Sequence, residues 1–113
     1  MHIKIRAIKI NLTEATKEYI QEKVDMLEKY LGDVQVLNCD VEIGTVVGGQ
    51  NSGKIFYAEV NLEVPGELIR VKKIEKDILK AIDKTKDHLA RSIKRYKEKR
   101  VSRKRNDSKN LFE

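Results

Sequence analysis

Along the first ten residues polar and apolar positions alternate: Ile3, Ile5 and Ala7 against His2, Lys4 and Arg6. A period of two predicts a strand over 2–10. Ile8 and Ile10 fall out of phase, and the slip predicts a bulge near Ala7–Ile8. The period then changes. Ile20, Val24, Leu27 and Leu31 are spaced by four, three and four, which places them on one face of a helix running to Leu31. Thr13 is positioned to cap that helix, and Glu14 puts a carboxylate in its first turn. Gly32 can close it in the left-handed conformation.

Alternation returns over 35–47, with Leu37, Cys39, Val41 and Ile43 on one face and Asn38, Asp40 and Glu42 on the other. It recurs over 54–64, with Phe56, Ala58, Val60, Leu62 and Val64 inward. Pro65-Gly66 then predicts a type II turn, and Leu68–Lys73 a short strand. From about Glu75 to about Arg100 the apolar stripe is Ile78, Ile82, Thr85, Leu89, Ile93 and Tyr96, again at helical spacing. The order is β-α-β-β-β-α, an α+β fold. It predicts a four-stranded sheet with two helices packed on one face and a polar, wet opposite face. Residues 1–101 form one domain. Residues 102–113 form a basic tail without periodicity, read as disordered when free. A second helix of about 26 residues rises roughly 39 Å, whereas the strands span roughly 23–37 Å at most. The helix therefore overhangs the sheet at its C-terminal end.

Composition adds the direction of the chemistry. The 113 residues are 40% apolar and 37% charged, with a net charge of +6. A basic small domain invites a polyanionic partner. The charge is concentrated: residues 84–105 hold eleven basic side chains and two acidic ones, so the remaining chain is mildly acidic. No apolar run is long enough to span a membrane, and the alternating N-terminus is unlike a signal peptide. One cysteine, Cys39, allows no intrachain disulfide, and the chain reads as cytoplasmic.

Most candidate chemistry falls away on inspection. Gly48–Lys54, GGQNSGK, matches the first seven positions of a phosphate-binding P-loop. Ile55 stands where Ser or Thr must hold Mg²⁺, and a strand follows where a helix is needed. A hairpin loop is the better reading. Cys39 lies on an apolar strand face as a small buried hydrophobe. His2 and His88 lack a Cys or third His at zinc-ligand spacing. There is no nucleophile elbow and no dinucleotide fingerprint. The chain reads as a non-enzyme, with no cofactor, metal or small-molecule substrate.

The basic stripe remains. Lys84, Arg91, Arg95 and Lys99 lie seven, four and four apart on one helix face, with Lys80 and Lys94 flanking and Lys97 further round. The run continues into Arg103-Lys104-Arg105. A membrane-binding helix needs exposed Leu, Phe or Trp beside its charge. Here the apolar face is required by the core, and the overhang offers only Tyr96 and Val101. Lys and Arg on phosphates supply affinity without sequence specificity. The sheet lacks the paired aromatics of an RRM: Phe56 points inward and Tyr57 stands nearly alone. Shape and phosphates are the expected ligand features, in RNA or DNA.

Ordered local matches now add a resemblance. Leu12-Thr13-Glu14-Ala15 enters the first helix, which contains Lys23 and Leu27-Glu28-Lys29-Tyr30; Ala58-Glu59-Val60 lies in strand 3. Asp77, Ala81-Ile82-Asp83 and Leu89-Ala90-Arg91 mark the second helix, with Arg95-Tyr96-Lys97 and Arg100-Val101-Ser102-Arg103-Lys104 at its exit. Over about residues 1–105 this set resembles the ribosome hibernation promoting factor family, which includes ribosome-associated inhibitor A. The fold it implies is similar to that of double-stranded-RNA-binding domains. The resemblance implies a translation inhibitor that occupies the mRNA and tRNA channel of the small ribosomal subunit. Such a factor competes with tRNA and mRNA and contacts ribosomal RNA through its basic second helix.

The basic stripe and the resemblance together give an RNA-contact set of Lys84, His88, Arg91, Lys94, Arg95, Lys97, Lys99, Arg100, Arg103, Lys104 and Arg105, of which Arg91, Arg95, Lys97 and Lys99 match basic positions of the family. His88 falls where the family commonly has Lys, and Asp77-Ile78-Leu79 lacks the family's Tyr. Val71-Lys72-Lys73 stands where relatives often have small or acidic residues. Many members carry a further C-terminal domain that pairs ribosomes, so the chain corresponds to a short form or to the N-terminal domain of a long one. Two other readings share the chemistry. One is a general structured-RNA-binding module acting off the ribosome, and the other a module whose basic tail docks an acidic protein.

Overall fold

The computed structural model describes residues 1–46 and 53–111, the last ten of these through their backbone alone. Four strands form one sheet in the order β1-β2-β3-β4: β1 Lys4–Ile8, β2 Asn38–Val46, β3 Ile55–Val64 and β4 Glu67–Glu75. β1 pairs parallel to β2, and the other neighbours pair antiparallel. The helices are α1 Glu14–Asp25, α2 Glu28–Leu31 and α3 Ile78–Leu111. The α+β architecture and the order of strands and helices along the chain agree with the sequence reading, the first helix being divided in two. The parallel β1–β2 pair requires a crossover, which α1 and α2 supply.

The apolar stripes meet between the helices and one sheet face. Ile20, Val24, Leu27 and Leu31 pack with Cys39, Val41, Ile43, Ala58, Val60, Leu62 and Val64, and with Ile82, Leu89, Ile93 and Tyr96. Full burial of one such aliphatic side chain stabilises by about 1.5–3 kcal/mol, so the period match between stripes is the main source of the fold. Two polar groups lock α3 to the sheet. The Thr85 hydroxyl, 2% exposed, donates to the Ala58 carbonyl of β3 at 3.3 Å. The Tyr96 hydroxyl donates to the Pro65 carbonyl at 2.6 Å, tying the helix to the β3–β4 turn. Gly66 in that turn has φ 80°, the left-handed conformation a type II turn requires at its third position.

Several local expectations are corrected. β1 holds register with β2 through Ile8↔Gly44 without a bulge. The slip of phase comes after it, where Lys9 takes φ 57° and turns Ile10 back against the core. The first helix is not continuous: a tight turn at Met26–Leu27, with Leu27 N–H bonded to the Val24 carbonyl at 2.9 Å, separates α1 from α2. Leu27 and Leu31 stay buried across the break, so the stripe survives it. The Thr13 cap is as expected, accepting from the Thr16 N–H at 3.1 Å, and Gly32 closes α2 with φ 59°.

Leu37 precedes the β2 ladder and is 52% exposed, so it is not part of the inward face. Phe56 is only partly buried, and Tyr57, on the opposite face, is buried. β4 runs to Glu75, beyond the expected Lys73. α3 starts three residues later than expected, where the Asp77 carboxylate accepts from the Leu79 N–H at 3.0 Å. It ends later too: helical backbone continues past Arg100 to Leu111, over a stretch without Gly or Pro. At 34 residues it rises about 51 Å against about 33 Å for a ten-residue strand. The hairpin-loop reading of Gly48–Lys54 falls largely outside the described residues, but a strand does follow it, from Ile55.

Candidate nucleic-acid interface

α3 presents four sides. The inward one is the stripe above. On the side facing β4, Lys84 pairs with Glu75, and Lys99 lies 3.6 Å from Glu67. On the side facing α1 and α2, Asp83 accepts from the Tyr19 hydroxyl at 2.5 Å and lies 3.6 Å from Lys23. That hydrogen bond first, then burial, pushes the Tyr19 pKa up to about 12. Lys97 donates to the Tyr30 carbonyl at 3.0 Å, and Lys94 lies 5.6 Å from the centre of the Tyr30 ring. Outward stand Arg91 and Arg95, both exposed.

The predicted contact residues therefore divide. Lys84, His88, Arg91, Arg95 and Lys99 lie on one continuous arc of α3, from its β4 side to its outward side, in keeping with their spacing. Among the described residues, Arg91 and Arg95 have no carboxylate partner, whereas Lys84 and Lys99 do. Lys94 and Lys97 lie on the flank toward α2, where Lys97 completes the end of that short helix. Arg100 stacks its guanidinium 5.4 Å from the Tyr96 ring centre. Arg103, Lys104 and Arg105 lie on the helical backbone that extends α3.

His88 differs from the rest of the set. Its ring is half-buried, and Nδ1 has no hydrogen-bond partner among the described residues. Burial, then the charges of Lys73, Arg91 and Arg95, hold its pKa below the ordinary 6.5. Both effects favour the neutral ring over the charged one. Lys73, which is not in the predicted contact set, also stands beside this face. The signal was in the alternation of β4: Ile69, Val71, Lys73 and Glu75 share the helix-covered side, which places Lys73 beside α3.

The opposite sheet face carries as many charges but cancels them. Register aligns Arg6, Glu42, Glu59 and Lys72 in one row across the four strands. Arg6 pairs with Glu42, Nε to Oε1 2.9 Å, and Arg70 lies 3.4 Å from Glu59. The Tyr57 hydroxyl donates to Glu42 at 2.9 Å, and Lys72 covers the Tyr57 ring at 4.6 Å. Arg6 first, then Tyr57, lowers the Glu42 pKa. Basic edge strands thus flank acidic central ones, and a polyanion gains little there. Cys39 is 2% exposed, and burial first, then the Asp40 charge, pushes its thiol up to about 11, as befits a packing residue. Among the described residues no group of His, Cys, Asp or Glu could hold a metal ion, and no helix is long and apolar enough to cross a membrane.

Known proteins share both sequence and fold with this chain. It is 34% identical over 88 residues to the ribosome hibernation promotion factor of Deinococcus radiodurans, covering 78% of this chain and 44% of that protein. It is 28% identical over 107 residues to the factor of the same name from Staphylococcus aureus, covering 95% and 53%. The chain thus spans about half the length of the curated relatives it matches. The Thermus thermophilus Protein Y N-terminal domain superposes with a TM-score of 0.69 at 27% identity, covering 85% of this chain and 97% of that domain. A ribosomal subunit interface protein from Coxiella burnetii shares the fold, with a TM-score of 0.71 at 17% identity, covering 87% and 99%. Residues 3–101 match the model of one protein family. The chain belongs to the sigma 54 modulation protein / S30EA ribosomal protein family.

Proposed function

We propose that this chain binds the small ribosomal subunit and holds the ribosome out of translation, with the outward face of α3 laid against ribosomal RNA phosphates. The observation that carries the reading is that face. Arg91 and Arg95 stand exposed on a helix locked to the sheet, and no carboxylate among the described residues forms an ion pair with them. The family, and relatives named ribosome hibernation promotion factor, favour the ribosome as the structure that bears those phosphates.

The mechanism is binding and exclusion, with no covalent step. Cationic side chains release the counterions of RNA phosphates, which supplies affinity without reading bases. The C-terminal half of a helix carries negative dipole charge, so the side chains must do the holding, and the planar fork of Arg suits a phosphate better than a point charge. Lodged in the channel of the small subunit, the body of the domain excludes tRNA and mRNA by volume. The basic residues Arg103, Lys104 and Arg105 add charge for the same RNA. The setting is the cytoplasm, and the reading needs neither cofactor nor small-molecule substrate.

Arg91→Glu combined with Arg95→Glu tests this. Both side chains are exposed, so circular dichroism should be unchanged while cosedimentation with ribosomes is lost. A folded double variant that still cosediments as the unmodified chain does would place the contact elsewhere. If that variant also loses short RNA duplexes, and the unmodified chain prefers them to ribosomes, the domain is a general structured-RNA-binding module.

A further inference from the structure

His88 interrupts the basic face of α3 with a half-buried ring among charged neighbours. Its Nδ1 is sealed from solvent without a partner among the described residues. Arg91 and Arg95 follow it by three and seven residues on the same face, and Lys73 approaches from β4. The other charged groups of this neighbourhood are committed: Glu75 of β4 holds Lys84, and Asp87 takes Lys86 at 2.6 Å. The charges that act on the ring, from strand and helix alike, are cationic. Three fixed cations around a half-buried imidazole disfavour its protonation, and they draw an anion to the same place. An anion there reverses the balance for the ring, because it screens the three cations and offers an acceptor to an imidazolium N–H.

We propose that Lys73, His88, Arg91 and Arg95 form one phosphate seat between β4 and α3, and that His88 takes up a proton from solvent when an RNA phosphodiester enters it. The seat rests on the ribosome reading above for the source of that phosphodiester. Its consequence is pH-linked binding. The ring's pKa is higher with phosphate bound than without, so affinity is greatest below the free value. It falls as pH rises toward the bound value and is flat above it. Each unit of difference is worth about tenfold in affinity.

Two measurements test the seat independently. The first is ribosome cosedimentation of the full chain at about pH 6 and about pH 8 at constant ionic strength, beside His88→Gln and His88→Lys. The unmodified chain should tighten by about tenfold toward the lower pH. His88→Gln should stay weak and His88→Lys tight at both, and dividing by the His88→Gln profile removes the ribosome's own titration. The second is an NMR titration of the His88 ring, with and without a short A-form RNA duplex, His88→Gln serving to tell it from His2. The duplex should move the His88 pKa upward, and Lys73→Gln should reduce the movement. A pH profile that His88→Gln reproduces, or a ring pKa that RNA leaves in place, overturns the seat. No ribosome binding at either pH, with the ring still shifted by the duplex, overturns the ribosome reading and keeps the seat as a general RNA contact.

Discussion

Gly44 sits in the sheet where no side chain has room. A Cβ there would stand 2.7 Å from the Tyr57 ring and 2.8 Å from the Ile8 carbonyl oxygen. Tyr57 occupies that space because its hydroxyl reaches Glu42 and its ring carries Lys72. Gly44→Ala should therefore destabilise the domain by about 1–3 kcal/mol, read as a lower urea midpoint at unchanged slope. An unchanged midpoint would show that Tyr57 yields without cost. The burial of Tyr57 was not legible from its own strand, where it reads as a lone aromatic on a polar face. It depends on a cross-strand neighbour lacking a side chain, which only the register supplies. Cys39, by contrast, was legible from alternation alone, because strand period and burial coincide there. His88 was legible in position and as a group neutral or only partly charged at pH 7; its burial and the approach of Lys73, which lower its pKa further, come only from the packing of α3 on β4.

At the scale of elements, the sequence marks stripes better than ends. The stripe of α3 is spaced as the helix requires, and Ile82, Thr85, Leu89, Ile93 and Tyr96 are all buried. Its start was misjudged because Glu75 and Lys76 suit a helix as well as a strand, and strand pairing through Phe56↔Glu75 decides between them. Its end was misjudged because loss of apolar periodicity was taken as loss of helix. Apolar periodicity marks the face a helix buries, whereas a helical backbone needs only residues that tolerate it. The same distinction divides α3 by role. Among the described residues its buried side chains end at Tyr96. A chain ending after Val101 should then keep its stability within about 0.5 kcal/mol in thermal or urea unfolding. Its affinity for ribosomes at low salt should fall by about tenfold or more, since Arg103, Lys104 and Arg105 are gone. A large loss of stability would instead give the extension a structural role.

The whole molecule is electrically polar, with principal extents of 63 × 28 × 17 Å. Glu14, Glu18, Glu22, Asp25 and Glu28 are exposed on α1 and α2, whereas α3 presents Arg91 and Arg95 outward and the sheet's open face is self-neutralised. Such a dipolar body approaches a polyanion with one side forward, which orients encounter as well as strengthening it. Binding to ribosomes should fall steeply between about 50 and 200 mM salt, and Arg91→Gln should reduce the slope of log affinity against log salt by about 1. Arg70→Gln, on the open face beside Glu59, should leave the slope unchanged. Equal effects of the two would remove the special place of α3.

The central claim, that this face of α3 places the domain where tRNA must sit, is tested most directly by cosedimentation with purified bacterial ribosomes and separated subunits at physiological salt. The measurement is made with and without excess tRNA. The account predicts binding to the small subunit that tRNA weakens. Binding indifferent to tRNA, or confined to the large subunit, would contradict it.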